Sequence, residues 1–359
     1  MSAHEIVIAV MAVFAVLGAL DRILGDRLGL GKEFESGILA MGSLAMAMLG
    51  IISLAPVLAS VLKPVVVPVY SFLGADPAMF AGTILACDMG GGALAAEMTA
   101  DSQAALLGGV ITGSMLGATV VFTIPVAMGI LEEDDRPAMA KGILCGIVTI
   151  PAGVLAGGLT AGFPLMMVLR NLIPIALIAA LIALGLWRAE RAMVKGFALF
   201  GKLVVAVVTV GLAAAIVEEL TGFTVIPGLA PLSEGFATVG AIAIVLAGAF
   251  PLVLVLTRLL RRPLGKLGRL LGINDTAAAG LVASLANSIA TFGMVKDMNQ
   301  RGKVVNIAFA VSAAFVFGDH LGFTAGFAPE MLTAVIVGKL AGGVSAVLLA
   351  LILTKKDKL

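Results

Sequence analysis

The sequence predicts an all-α membrane protein, a polytopic helix bundle with an inverted internal repeat. Its 359 residues are 60% hydrophobic and only 13% charged, and the mean hydropathy is +1.14. Soluble domains carry about 25% charged residues. Apolar runs of about 20 residues, long enough to cross roughly 30 Å of hydrocarbon, recur along the chain. The 44 glycines are typical of closely packed membrane helices.

The apolar runs predict nine full spans and two different segments. The spans fall at roughly 4–24, 37–62, 103–130, 138–160, 164–187, 197–220, 235–257, 302–325 and 331–354. Segments 77–97 and 275–296 are interrupted, the first by Cys87-Asp88-Met89-Gly90-Gly91-Gly92 and the second by Asn287-Ser288. Glycines and polar side chains break helices, and broken backbone at membrane depth needs cover from protein or water. We therefore expect these two segments to be re-entrant hairpins.

The sequence contains an internal repeat at a spacing of 198 residues. When the sequence is aligned with itself at this offset, five glycines match glycines: Gly37, Gly42, Gly50, Gly74 and Gly82 align with Gly235, Gly240, Gly248, Gly272 and Gly280. This predicts a first repeat over 1–163, a linker span with a cytoplasmic loop over 164–196, and a second repeat over 197–359. The two interrupted segments become repeat partners, which is where transporters with inverted repeats place their binding sites.

The distribution of Lys and Arg selects between two topologies. With eleven full spans, the alternative, basic residues scatter over both faces of the membrane. With nine spans and two hairpins, 19 of them share one face and only Lys63 lies in an opposite loop. Cytoplasmic loops are enriched in Lys and Arg, so we expect the N-terminus outside and the C-terminus in the cytoplasm.

Asp88 is the strongest candidate for a binding residue. A charged side chain at membrane depth costs roughly 2.5–3.5 kcal/mol on insertion scales and therefore usually has a function. The neighbouring Gly90 and Gly91 would let a substrate approach the backbone. The alternative is a carboxylate at the end of a loop on the membrane surface.

The second interrupted segment offers Asn287, Ser288 and Thr291. These side chains could hydrogen-bond a hydroxyl or an amine of a substrate. Equally, they could satisfy backbone groups that the break leaves unpaired.

Asp319 and His320 form a second candidate pair. A neighbouring carboxylate can tune an imidazole that carries protons, so Asp88, Asp319 and His320 are candidates for proton or ion coupling. Adjacent helical residues point about 100° apart, however, and a helix that ended near Gly322 would make the pair a solvated cap.

We expect Lys339 to extend its ammonium from its span toward the membrane surface.

Several classes of function are disfavoured by the sequence. A net charge of +1 offers no basic surface for nucleic acid. Two histidines and two separated cysteines give no metal-ligand spacing, and we find no phosphate loop or dinucleotide motif. We thus expect no cofactor, no metal and no enzymatic activity.

Five strings resemble the ethanolamine-utilisation permease family: Phe80-Ala81-Gly82-Thr83, Ala86-Cys87-Asp88-Met89-Gly90-Gly91, Asn287-Ser288-Ile289, Lys296-Asp297-Met298 and Phe317-Gly318-Asp319-His320-Leu321-Gly322-Phe323-Thr324. The similarity runs over nearly the whole chain. It implies a bacterial inner-membrane transporter that imports ethanolamine for breakdown by a cobalamin-dependent lyase. The resemblance supplies no binding residues.

Ethanolamine is a small cation with one hydroxyl, and its recognition in a low-dielectric pocket needs a carboxylate and a polar partner. Asp88 and Asp319 could bind the ammonium, and Asn287, Ser288 and Thr291 the hydroxyl. Alternating access would follow from movement of the hairpins against the other helices. The coupling ion, proton or sodium, stays open, as does a homo-oligomer. Alternatives are a passive facilitator for a small amine and, with less support, an intramembrane enzyme acting on lipid head groups.

Overall fold

The computed structural model describes residues 3–354, without the side chains of Ala3, Glu190, Leu260, Arg261, Arg262, Leu264, Leu267 and Arg269. Over this range the chain is helical and has no strand. Eight helices in it are long and apolar enough to cross a membrane. The structure thus confirms an all-α polytopic membrane protein.

Fourteen helices follow one another along the described chain. The first seven are α1 Ala3–Ile23, α2 Leu30–Phe72, α3 Ala78–Ile84, α4 Gly91–Met98, α5 Ser102–Ile130, α6 Arg136–Thr160 and α7 Leu165–Ala189. The others are α8 Arg191–Thr221, α9 Leu232–Leu271, α10 Asp275–Ala286, α11 Ser288–Met294, α12 Gln300–Ala313, α13 Asp319–Phe327 and α14 Leu332–Leu353. Most of α5 is π-helical, over Leu106–Gly117 and Thr119–Thr123.

Helices α2 and α9 are much longer than the spans expected at 37–62 and 235–257. They have 43 and 40 residues, which corresponds to about 64 and 60 Å at 1.5 Å per residue. Each helix continues past the charged residue at which the predicted span ended, α2 past Lys63 to Phe72 and α9 past Arg258 to Leu271. Both also continue through internal prolines, such as Pro56 and Pro251.

The cytoplasmic loop expected at 188–196 is absent. Helices α7 and α8 are joined at a single non-helical residue, Ala189 (φ −144°, ψ 47°). A methyl group built on Gly185 would lie 2.7 Å from the sulfur of Met193, so the chain turns back sharply at this point. One residue therefore makes the turn for which the sequence predicted a loop.

The span expected at 302–325 is wrong as a continuous helix. Helix α12 ends at Ala313 and α13 begins only at Asp319. The backbone N–H groups of Phe315 and Phe317 in the break donate to the carbonyl oxygens of Ser284 (3.1 Å) and Leu285 (2.9 Å). The break is thus stabilised by the last turn of α10, which supplies partners for backbone groups that lose their helical ones.

Each interrupted segment has its two ends joined by hydrogen bonds. Before α3 and after α4, the Thr99 hydroxyl donates to the Asp76 carboxylate at 2.9 Å. Around α10 and α11, the Asn274 amide donates to the Asp297 carbonyl (2.9 Å), and the Asn299 amide donates to that of Gly272 (3.0 Å). Entry and exit of each segment therefore lie together, as in a re-entrant hairpin.

Two of the closest helix contacts have the spacing of the predicted repeat. A methyl group built on Gly50 of α2 would lie 2.0 Å from the carbonyl oxygen of Val208 in α8. One built on Gly248 of α9, 198 positions later, would lie 2.1 Å from the carbonyl oxygen of Met11 in α1. Small residues permit such close approach of backbones. The predicted repeat aligns α1 with α8 and α2 with α9. The contact between α2 and α8 therefore corresponds to the contact between α9 and α1.

Candidate functional site

The break between α3 and α4 holds Asp88 on a tight turn. After α3 the chain is extended through Ala86, turns at Cys87–Met89, and enters α4 through Gly90 at φ +97°. This left-handed conformation favours glycine, and the side chain of Ile51 would lie 2.1 Å from a methyl group there. The N–H of Gly91 donates to the Ala86 carbonyl at 2.8 Å. The two predicted binding glycines thus have a clear role in shaping the turn.

The Asp88 side chain is 14% exposed and faces His320. Its Oδ1 atom lies 3.6 Å from His320 Nε2, beyond hydrogen-bond distance. This oxygen is buried and has no hydrogen-bond partner among the described residues. It is therefore an acceptor that lacks a donor.

The break between α12 and α13 presents Asp319 and His320 in the first turn of α13. A solvated cap at the end of a helix, the alternative raised above, is wrong: the helix begins here, and His320 is only 3% exposed. The imidazole packs against Phe315 with ring centroids 5.2 Å apart. Gly318 lets the backbone of this break approach the end of α10, because a methyl group on it would lie 2.1 Å from the carbonyl oxygen of Ala286.

Asp88, Asp319 and His320 line one cavity of about 240 Å³. Its other walls come from α2, α5 and the two breaks, and comprise Ser43, Leu44, Ala47, Ala86, Met89, Ala118, Phe122 and Phe315. The cavity thus combines two carboxylates and one imidazole with apolar and aromatic walls. Small-molecule sites have this composition.

Asp319 also lines a second cavity, of about 270 Å³, together with Asn287, Glu33 and Thr257. The Asn287 side chain caps α11 by accepting from the N–H of Ile289 at 2.7 Å. The two cavities therefore meet at one carboxylate, and the two hairpin breaks lie on either side of it.

Ser288 and Thr291 lie inside the protein and line neither of these cavities. The Thr291 hydroxyl lies 2.8 Å from that of Ser284 and donates to the Gly280 carbonyl at 2.9 Å, which links the two arms of the hairpin. The hydroxyl oxygen of Ser288 is buried and has no partner among the described residues. The geometry brings Asn287 to the second cavity only and leaves Ser288 and Thr291 in the packing.

Lys339 is the residue of this site that the sequence did not identify. It is only 1% exposed, so the expectation that its ammonium reaches the membrane surface is wrong. Its Nζ donates to the Ser114 carbonyl at 2.5 Å and lies 3.0 Å from Nδ1 of His320. The sequence did contain an indication that Lys339 is buried. The neighbouring Gly338, Gly342 and Gly343 indicate that this face of α14 packs closely against other helices.

Three donor types that bind transition metals also meet here. The Sγ of Cys87, a carboxylate oxygen of Asp88 and a ring nitrogen of His320 all lie within 4.8 Å of one another. Cys87 is completely buried and does not line the cavity. The sequence spacing, which predicted no metal site, gave no sign that these residues converge.

Fold and site together define a multi-pass membrane protein with a small, doubly acidic cavity between its helices. The chain belongs to the family described as "Ethanolamine utilisation protein, EutH", which matches residues 3–353. The resemblance found in the sequence is thereby confirmed.

Three similar proteins illustrate the family. The chain is 60% identical over 347 residues to "Probable ethanolamine permease EutH" of Listeria monocytogenes, covering 97% of this chain and 93% of that protein. It is 53% identical over 346 residues to "Uncharacterized protein YxeR" of Bacillus subtilis, covering 96% and 94%. It is 48% identical over 395 residues to "Probable ethanolamine permease EutH" of Salmonella typhimurium, covering 99% and 97%. No solved structure is significantly similar to the chain.

Proposed function

We propose that this protein imports ethanolamine across the bacterial cytoplasmic membrane by alternating access. Two of the relatives described above carry the name probable ethanolamine permease. The observation that carries the proposal is that Asp88 and Asp319 line one small cavity between the helices. An alkylammonium ion is the kind of ligand that two carboxylates in a poorly hydrated site attract.

The unpartnered oxygen of Asp88 supports this assignment. A buried polar atom without a partner costs free energy, and a ligand that donates to it removes that cost. Ethanolamine has only four non-hydrogen atoms, so a cavity of about 240 Å³ encloses it with room for water. Its ammonium would contact Asp88 and Asp319 while its carbons face Phe122 and Phe315.

The second cavity supports a route to the cytoplasm. It extends from Asp319 toward Glu33, in the first turn of α2, and Thr257 in α9. The next residue of α9, Arg258, donates to the Leu28 carbonyl in the predicted cytoplasmic loop before α2 at 2.8 Å. In this proposal ethanolamine passes from the first cavity to the second when the hairpins move against α2 and α9. Asp319 would contact the substrate in both positions.

The reciprocal contacts of Gly50 and Gly248 support alternating access by two inverted halves. With the halves as predicted, one hairpin enters from outside and the other from the cytoplasm. The N-terminus outside and the C-terminus in the cytoplasm complete this proposed topology.

The test is uptake of radiolabelled ethanolamine by proteoliposomes containing the purified protein, with and without imposed proton and sodium gradients. Accumulation that follows one gradient would support the transporter and identify its ion. Equilibration that ignores both gradients would make the protein a passive facilitator. An absence of flux, with ethanolamine released from phosphatidylethanolamine in the same vesicles, would contradict transport and favour an enzyme.

A further inference from the structure

Lys339 places an amine at the centre of the protein, next to the proposed binding cavity. Its partners among the described residues, the Ser114 carbonyl and His320 Nδ1, carry no negative charge. A buried lysine is costly and rarely present without a role. The proposed function does not itself use this residue.

The contact with His320 has a chemical consequence. An ammonium group has three donors and no acceptor. When Lys339 donates to Nδ1 of His320, that nitrogen must carry its lone pair, and the ring proton must reside on Nε2. Nε2 faces Asp88, and both His320 and Asp88 line the cavity. Lys339 thus turns His320 into a hydrogen-bond donor directed into the cavity.

The opposite tautomer would create a conflict. With the proton on Nδ1, the lone pair of Nε2 would face the unpartnered carboxylate oxygen of Asp88 at 3.6 Å. Two acceptors facing each other in a site of low dielectric constant repel. The geometry on both sides of the ring therefore favours the proton on Nε2.

We propose that Lys339 is a positioning residue that fixes His320 as the donor to the hydroxyl oxygen of an amino alcohol. This inference rests on the proposed function, in which Asp88 and Asp319 bind the ammonium of the same molecule. The distance of 3.6 Å between His320 and Asp88 is too long for a direct hydrogen bond, so the Nε2 proton is available to a ligand. The cavity is thereby selective for amines that carry a hydroxyl.

The selectivity arises because a ligand without a hydroxyl leaves the His320 Nε2–H donor unpaired. In n-propylamine a methyl group replaces the hydroxyl of ethanolamine at nearly the same size. A site built to hydrogen-bond a hydroxyl rejects the analogue that lacks it, because its buried donor stays unsatisfied. We expect at least tenfold weaker binding of n-propylamine to the natural sequence.

The tautomer can be measured directly, because the chain has only two histidines. His4→Gln leaves His320 as the single histidine, and nitrogen-15 NMR of the labelled protein in nanodiscs distinguishes protonation at Nδ1 from that at Nε2. We expect the Nε2 proton, and a loss of this preference in Lys339→Met. A proton on Nδ1 in the His4→Gln protein would overturn the inference even if Lys339→Met does not fold.

Binding selectivity provides the second test, with Lys202→Met as the control. Lys202 also lies in a span, α8, but is exposed. Displacement of radiolabelled ethanolamine by n-propylamine should show the tenfold preference in the natural protein and in Lys202→Met. In Lys339→Met the preference should fall below threefold. An unchanged preference in Lys339→Met would overturn the role of Lys339, whereas no ethanolamine binding by the natural protein would contradict the proposed function itself.

Discussion

Replacement of Asp88 by asparagine should weaken ethanolamine binding strongly without changing the shape of the site. The substitution exchanges one carboxylate oxygen for an amide nitrogen and removes the negative charge. Asp88 lines the cavity, and its Oδ1 atom is buried and has no partner among the described residues. The ammonium of the substrate would thus lose one of its two charged acceptors.

The magnitude follows from the energy of such a contact. Hydrogen bonds to charged groups contribute about 1.5–3 kcal/mol, and each 1.4 kcal/mol is tenfold in affinity. We therefore expect Asp88→Asn to raise the dissociation constant roughly 10- to 150-fold. Asp319→Asn should have an effect in the same range. In the double variant the loss of binding free energy should be smaller than the sum of the two single losses, because both carboxylates contact one ammonium.

Equilibrium binding of radiolabelled ethanolamine to the purified protein measures this change. Glu330→Gln is the matched control, because Glu330 is an exposed carboxylate outside both cavities. That variant should bind like the natural protein. An increase of less than threefold in Asp88→Asn would refute the reasoning that Asp88 contacts the substrate.

Three further predictions concern the framework of the site. Lys303→Met leaves the buried carboxylate of Asp135 without its ion-pair partner, so unfolding by SDS, followed by circular dichroism, should show a loss of about 3–5 kcal/mol. Gly318→Ala should abolish uptake, since its methyl group would overlap the Ala286 carbonyl, whereas Gly293→Ala, with open space around it, should not. The thiol introduced by Thr224→Cys should react with an impermeant maleimide added outside cells, because its loop is predicted to be external.

Each of these predictions has a contradicting result. Substitution of both members of the pair, Asp135→Leu with Lys303→Met, should recover much of the lost stability, and a double variant as unstable as Lys303→Met would argue against a buried ion pair. Normal uptake by Gly318→Ala would mean that the break before α13 is not required. Labelling of Asp134→Cys from outside would contradict the topology, because that position is predicted to be cytoplasmic.

The spans and hairpins could be predicted because their signals are local. Long apolar runs mark the helices, and Gly90, Gly91 and Asn287 mark the backbone that cannot continue as helix. Most of the predicted spans correspond to helices of the structure, and both interrupted segments are broken where the polar and glycine residues fall. Composition and hydropathy were sufficient for this part.

The break at 314–318 could not be predicted from the apolar residues that form most of it. Residues Ala313 to Phe317 are all apolar and read as the middle of a span. The break exists because Ser284 and Leu285, some thirty residues earlier in the chain, offer carbonyl oxygens to its N–H groups. Such a partner is a property of the folded structure and has no sequence pattern.

The charged residues of the candidate site could be predicted from the sequence, but the groups that they contact could not. Asp88, Asp319 and His320 were identified because charged and titratable side chains are rare in apolar segments. Thr291 was a candidate because polar side chains at an interrupted segment could hydrogen-bond a substrate, but its hydroxyl links two arms of a hairpin. Lys339 was misjudged, because the sequence does not tell whether a lysine in a span faces lipid or protein.

The most direct test of the account is whether ethanolamine passes through the cavity between Asp88 and Asp319. Ser43 lines this cavity, and Ser43→Cys places a thiol there with almost no change in size. A cationic methanethiosulfonate reagent should modify this thiol and stop uptake of radiolabelled ethanolamine, and ethanolamine should slow the modification. The unsubstituted protein controls for its own buried cysteines, Cys87 and Cys145. Complete modification of the thiol in Ser43→Cys with uptake unchanged would contradict the account.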